Sequence, residues 1–128
     1  MPVRYSIRES LLTMELVGVY ESREVVRQFI EAMRDPKCPA RVALLVDVSQ
    51  SQSLATRPHG EIQMVAEFLG PYADRIGGRC AVVAPTDVHY ELGKLGAYHS
   101  QRVGIDAQVF RADDAARDWL ERPPAPRA

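Results

Sequence analysis

Val42-Ala-Leu-Leu-Val-Asp47 opens the most informative stretch of the chain, followed by Val48-Ser-Gln-Ser-Gln-Ser-Leu-Ala-Thr56 and Arg57-Pro58-His59-Gly60. An apolar run this short fits a strand buried on both faces of a sheet. It closes on a carboxylate, passes through a mostly polar loop rich in Ser and Gln, and enters a helix. Junctions of this kind lie outside the carboxyl ends of strands, where ligand sites of open α/β sheets form and helix N-termini offer free N–H groups. The stretch therefore says where a site should sit, and carries no catalytic motif.

The flanking sequence supplies the rest of the sheet. Val3, Tyr5 and Ile7 alternate with polar residues, and Leu12, Met14 and Leu16 repeat the alternation after a connection at Glu9-Ser10, which predicts a hairpin. Ser22 is a candidate N-cap for a helix to Met33, with an apolar stripe of Val25, Val26, Phe29, Ile30 and Met33. Asp35-Pro36 and Pro39 end it. Beyond the loop, a helix starting near Pro58 carries Ile62, Val65, Ala66, Leu69, Tyr72, Ala73 and Ile76, and Gly70-Pro71 should kink or split it. Gly77-Gly78 stops it, and Cys80 to Ala84 is a second buried strand closed by Pro85. Thr86 or Asp87 caps a third helix, whose stripe reads Val88, Leu92, Leu95, His99 and Val103. Ala107 to Phe110 is a last short strand, and Asp113 to Glu121 a last helix burying Ala115, Ala116, Trp119 and Leu120.

Strands separated by helical crossovers form a mostly parallel sheet. The expected fold is thus a single mixed α/β domain over residues 1–121, in the order β-β-α-β-α-β-α-β-α, with the hairpin as an antiparallel edge. The proline-rich stretch 122–128 is expected to be a disordered tail.

Composition excludes several classes. Sixteen basic residues against seventeen acidic ones, spread along the chain, leave a formal charge of -1. That offers no footprint for nucleic acid and no polybasic anchor for stable membrane association. No apolar run reaches the roughly 20 residues of a membrane span, and the first residues lack the apolar core of a secretory signal. Two cysteines, Cys38 and Cys80, read as reduced thiols in a cytoplasmic protein. His59, His89 and His99 form no metal-ligand array, so no metal is expected. No cofactor is expected either, because no Walker or dinucleotide glycine pattern occurs.

The element order resembles the STAS domain family, which includes the bacterial anti-sigma-factor antagonists, and within it the SpoIIAA-like branch. The likeness covers roughly residues 1 to 121. It is carried by Val42 to Ser49, by Arg79-Cys-Ala-Val-Val with Asp87, Tyr90 and Gly93, and by Val109-Phe-Arg-Ala-Asp-Asp-Ala-Ala-Arg-Asp-Trp119-Leu120. In the antagonists the corresponding loop carries an Asp-Ser pair, and a partner kinase phosphorylates the serine. Here the pair falls on Gln52-Ser53, or on Ala55-Thr56 if the loop is longer by three residues. The acidic member is missing in both registers, and so is the glycine that usually follows.

The resemblance implies a non-enzymatic regulatory module that binds a kinase or regulator through this loop and the next helix N-terminus. Its contact surface is expected on Asp47, Ser49, Thr56, Arg57, His59, Asp87 and Tyr90, with Thr56 and Ser53 as candidate phosphate acceptors. Each has an ordinary structural role as the competing reading: a turn for Asp47, caps or solvated loop for Ser53 and Thr56, core packing for Tyr90. A homodimer is expected, since Tyr90, Leu92 and Tyr98 offer an apolar helix face. The alternative is a small-molecule or lipid carrier with an apolar pocket under the Tyr90 helix. A small hydrolase or transferase is the third reading, with acid–base work by Asp47 and His59 or Tyr90; a buried Asp47 within hydrogen-bond reach of His59 would favour it.

Overall fold

Strand β3 (Ala43–Asp47) sits at the centre of a five-stranded sheet of order β1-β2-β3-β4-β5, in a computed structural model that describes residues 2–122. β1 (Val3–Arg8) and β2 (Leu11–Leu16) form the antiparallel hairpin. β2, β3, β4 (Arg79–Val83) and β5 (Asp106–Phe110) run parallel, with Leu12, Leu44, Cys80 and Ala107 in register across them. The hairpin turn sets Glu9 at φ +54°, a left-handed conformation rarely adopted by a residue with a side chain. The expected tail lies, apart from Arg122, outside the described residues.

Each parallel step moves one strand along in the same direction through a helix. Right-handed crossovers then place all the connecting helices on one face. These are α1 (Ser22–Arg34), α2 (His59–Phe68) and α3 (Asp87–Gln101). That face holds the larger core, with Leu12, Met14, Leu44, Cys80 and Ala107 turned towards the three helices. The alternate residues Leu45, Ala81 and Val83 point the other way, against Ala116 and Leu120 of α4 (Asp113–Glu121). The two-sided burial expected of the central run is present: Leu44 and Leu45 are both fully buried.

Three local expectations are corrected. Ser22 does not cap α1; Glu21 occupies the cap position without a side-chain bond, and Ser22 is the first helical residue, its hydroxyl donating to Glu61 across the fold at 3.0 Å. On α3 the buried residues are Gly93, Ala97 and Ser100, whereas Val88 is 56% exposed. Small side chains won that face because α3 lies close on β5: a Cβ at Gly93 would stand 3.1 Å from Val109 Cγ1. On α4, Ala115 is exposed and Ala116 takes the buried place. Other signals resolve cleanly. Thr86 caps α3 by accepting from the His89 N–H at 3.1 Å. Gly70-Pro71 splits the second helix, leaving a short 3-10 turn at Gly70–Tyr72.

Candidate functional site

The loop after β3 is tied down by the serines that make it look merely polar. Asp47 Oδ1 accepts from the Ser49 N–H at 2.8 Å, closing an Asx turn as the strand ends. Gly18, at φ +67°, bridges to this loop by donating to Gln50 O and accepting from Gln52 N–H, both at 2.8 Å. Tyr20 is the hub. Its N–H donates to Ser53 Oγ at 2.9 Å, and its hydroxyl lies 2.7 Å from Ser51 Oγ. Both serines are buried. Burial raises the Tyr20 hydroxyl above its ordinary pKa, with the Ser51 hydrogen bond and the Arg57 charge opposing. Thr56 is exposed on a 3-10 turn (Leu54–Thr56), its hydroxyl donating to Ser53 O at 3.1 Å. Of the two candidate phosphate acceptors, Thr56 is thus the one in reach of another protein, while Ser53 is engaged beneath it.

Arg57 turns inward from the end of this loop. Its guanidinium lies over the Tyr20 ring at 5.4 Å, donates to Tyr20 O, and pairs with Glu61 Oε1 at 3.4 Å. Glu61 Oε1 also accepts from Ser22. These contacts pin the first turn of α2 to α1. The far end of α2 is pinned by Phe68, packed edge-on against Phe29 at 5.8 Å and beside Tyr72 at 5.4 Å, and by Ser100, whose hydroxyl donates to Ala66 O at 3.0 Å.

Between those pins α2 spans a hollow. It packs on α1 and α3 with little close approach to the strands. Beneath it lies a partly open pocket of about 150 Å³. Leu44 and Val46 of β3 form its floor, Ile62 and Val65 its roof, and Gly96 and Ala97 of α3 one wall. The hollow exists because α3 presents small residues where larger ones would have filled the space. Its walls are overwhelmingly apolar, and Arg57, Glu61 and Ser22 lie at the end nearest the β3 loop.

The other expected site residues fall into a separate group. Asp87 is exposed and pairs with Arg111 at 2.8 Å, and the same guanidinium covers the Tyr90 ring at 4.4 Å. Lys94 stands 5.3 Å from that ring. His59 is exposed on the first turn of α2. Among the described residues no hydrogen bond joins Asp47 to His59 or Tyr90, and no three His, Cys, Asp or Glu side chains gather in a metal-binding cluster. Sequence reasoning missed Tyr20, Ser22 and Glu61 at the end of the pocket nearest the β3 loop. It also missed Gly93, Gly96, Ala97 and Ser100, whose i, i+3, i+4, i+7 spacing of small residues was the available signal.

The architecture is shared with a solved structure from Shewanella loihica PV-4, described as an uncharacterized protein from the DUF3478 family with a SpoIIAA-like fold. The two superpose with a TM-score of 0.55 over 92% of this chain and 91% of that one. The fold is SpoIIAA-like. Identity between the two is 15%, so the likeness extends to the fold and no further. No protein-family model matches the chain, and no curated protein does. No described helix is long and apolar enough to cross a membrane.

Proposed function

We propose that this chain is a non-catalytic binding protein for a small apolar ligand, held between the sheet and α2. The observation that carries the reading is the apolar pocket of about 150 Å³. A cavity of about that size admits one benzene-sized molecule. A long lipid chain does not fit without displacing α2, so the volume favours a compact ligand over a bulk lipid carrier. The walls bring no nucleophile and base together, which favours binding over chemistry. Burying a ring of roughly 150–250 Å² at about 25 cal/mol per Å² contributes about 4–6 kcal/mol before the cost of association, so binding is expected in the millimolar range or weaker.

Benzene titrated into the isotopically labelled protein tests this reading. Saturable shifts should centre on Leu44, Val46, Ile62 and Val65, and Ala97→Leu, which places three more carbons in the void, should abolish them while the melting temperature holds or rises. Shifts absent from the wild type at saturating benzene, or unchanged in the Ala97→Leu variant, overturn it.

A second reading rests on Thr56, an exposed hydroxyl one residue from the pocket's Arg57. A protein partner or kinase docking on this rim would contact the loop that closes the pocket. Phosphate found on Thr56 in protein isolated from its own host would support that use, and its absence in every growth state would remove it.

A further inference from the structure

Four polar side chains of the pocket, Tyr20, Ser22, Arg57 and Glu61, lie at the end nearest the β3 loop, with Ser100 at the other end hydrogen-bonded to Ala66 O, and the Arg57–Glu61 pair is asymmetric. Arg57 is the inner member of the pair, with its side chain 14% exposed, whereas Glu61 is 41% exposed. Their separation of 3.4 Å is long for a charge-assisted hydrogen bond, which closes to roughly 2.7–2.9 Å when optimal. Arg57 cannot leave easily, because it also donates to Tyr20 O and lies over the Tyr20 ring. Glu61 can leave: it is held by Ser22 and Arg57, and rotation about its side chain returns it to water.

We infer that the ligand is a small amphiphile carrying a carboxylate head on a tail of about five or six carbons, the tail in the pocket and the head on Arg57. The inference rests on the pocket reading above and names the ligand class. The incoming carboxylate takes the place of Glu61 and receives the Arg57 Nη1–H that now reaches it, while Nη2 stays on Tyr20 O. The Ser22 hydroxyl, released from Glu61, becomes a second donor to the head. An ammonium head meets the opposite situation. It would sit against a guanidinium that has no exit, and would compete with Ser22 and Arg57 for a carboxylate they already satisfy. The tail length follows from the volume, since a pocket of about 150 Å³ is filled by a group of roughly benzene size.

Hexanoate, hexanol and hexylamine, titrated at neutral pH and low salt by isothermal calorimetry, separate the alternatives. Hexanoate should bind about tenfold tighter than hexanol, with hexylamine weakest. Arg57→Gln should erase the advantage of hexanoate while leaving hexanol binding in place, and Glu61→Gln, which removes the competing carboxylate, should tighten hexanoate several-fold. Hexanol or hexylamine binding as tightly as hexanoate refutes the inference and leaves the pocket reading intact. Failure of all three, with benzene silent as well, refutes both. Should Arg57→Gln not fold, the Glu61→Gln arm decides alone: hexanoate affinity unchanged or weakened overturns the proposal.

Discussion

Gly93 and Gly96 lie on the same helix, three residues apart, and a methyl group added at each should act in opposite directions. Alanine in a helix interior is favoured over glycine by about 0.8–1.0 kcal/mol, whichever position is changed. At Gly96 the new Cβ meets Ile62 Cγ2 at 3.7 Å, an ordinary contact at the pocket wall. Partial burial of that methyl adds a fraction of the roughly 0.8 kcal/mol of a fully buried carbon. Gly96→Ala should therefore stabilise by about 1–1.5 kcal/mol, raising the melting temperature by about 4–6 °C. At Gly93 the Cβ would lie 3.1 Å and 3.4 Å from the two Val109 methyls, so Val109 or α3 must give way by a few tenths of an ångström. Overpacking of this kind costs about 1–3 kcal/mol and offsets or exceeds the helix gain. Urea denaturation with equal slopes should place the midpoint of Gly96→Ala above wild type and that of Gly93→Ala at or below it. The same Gly96→Ala protein should bind benzene more weakly, stability rising as the pocket narrows. If Gly93→Ala stabilises as much as Gly96→Ala, the account of α3 as a helix held close by small residues is wrong.

Arg79 anchors α4 by donating to the carbonyls of Trp119 and Leu120 at 3.0 and 2.9 Å while lying 4.9 Å from the Trp119 ring. Arg79→Ala should cost about 1.5–3 kcal/mol in urea unfolding, and Arg79→Lys should recover less than half, because an ammonium cannot span both carbonyls from one plane. Burial pushes the Cys80 thiol up from 9.0 to about 12, so the unfolded chain ionises first as pH rises. Its contribution is complete below about pH 9 and falls by up to about 1.4 kcal/mol per unit as pH climbs towards 12, with Tyr20 adding to the loss. Unfolding midpoints at pH 8 and pH 10.5 should differ accordingly; equal midpoints would contradict the burial of both groups. A thiol reagent should label half-buried Cys38 promptly and Cys80 only at the rate of unfolding. Glu9→Gly should stabilise the hairpin by about 0.5–1 kcal/mol, the relief of a left-handed φ exceeding the entropy cost of glycine, as read from the same denaturation curves.

The hairpin strands were legible because a pleat forces alternation, and the central strand because its apolar run is too short for a helix and is bounded by Pro39 and a polar loop. Val3, Tyr5 and Ile7 and the run Val42 to Asp47 need no knowledge of their neighbours to be read. Crossover handedness then orders the sheet. What resisted reading was relational. The face α3 buries is set by the closeness of Val109, so hydrophobicity alone selected Val88 and missed Gly93 and Ala97. Ser22 carries the composition of a cap, yet its hydroxyl found a carboxylate on a helix distant in sequence. Arg57 was legible as a site residue from its position beside the helix start. The pocket it borders is a space left by small side chains on one element and spanned by another, a property that belongs to no single segment.

The sheet's two faces are covered in very different ways, and this bears on how the chain is made. Three helices, each following a strand in the chain, shield the front of the sheet as synthesis proceeds. Among the described residues the back is shielded by α4, and α4 leaves the ribosome after every strand it covers. Until residues 113–121 emerge, Leu45, Ala81 and Val83 face water together as a bare apolar strip. A sheet whose strands pair before α4 docks has its central strands half uncovered. Arg79, already in place on β4, then waits at the strip's edge to receive the helix that closes it.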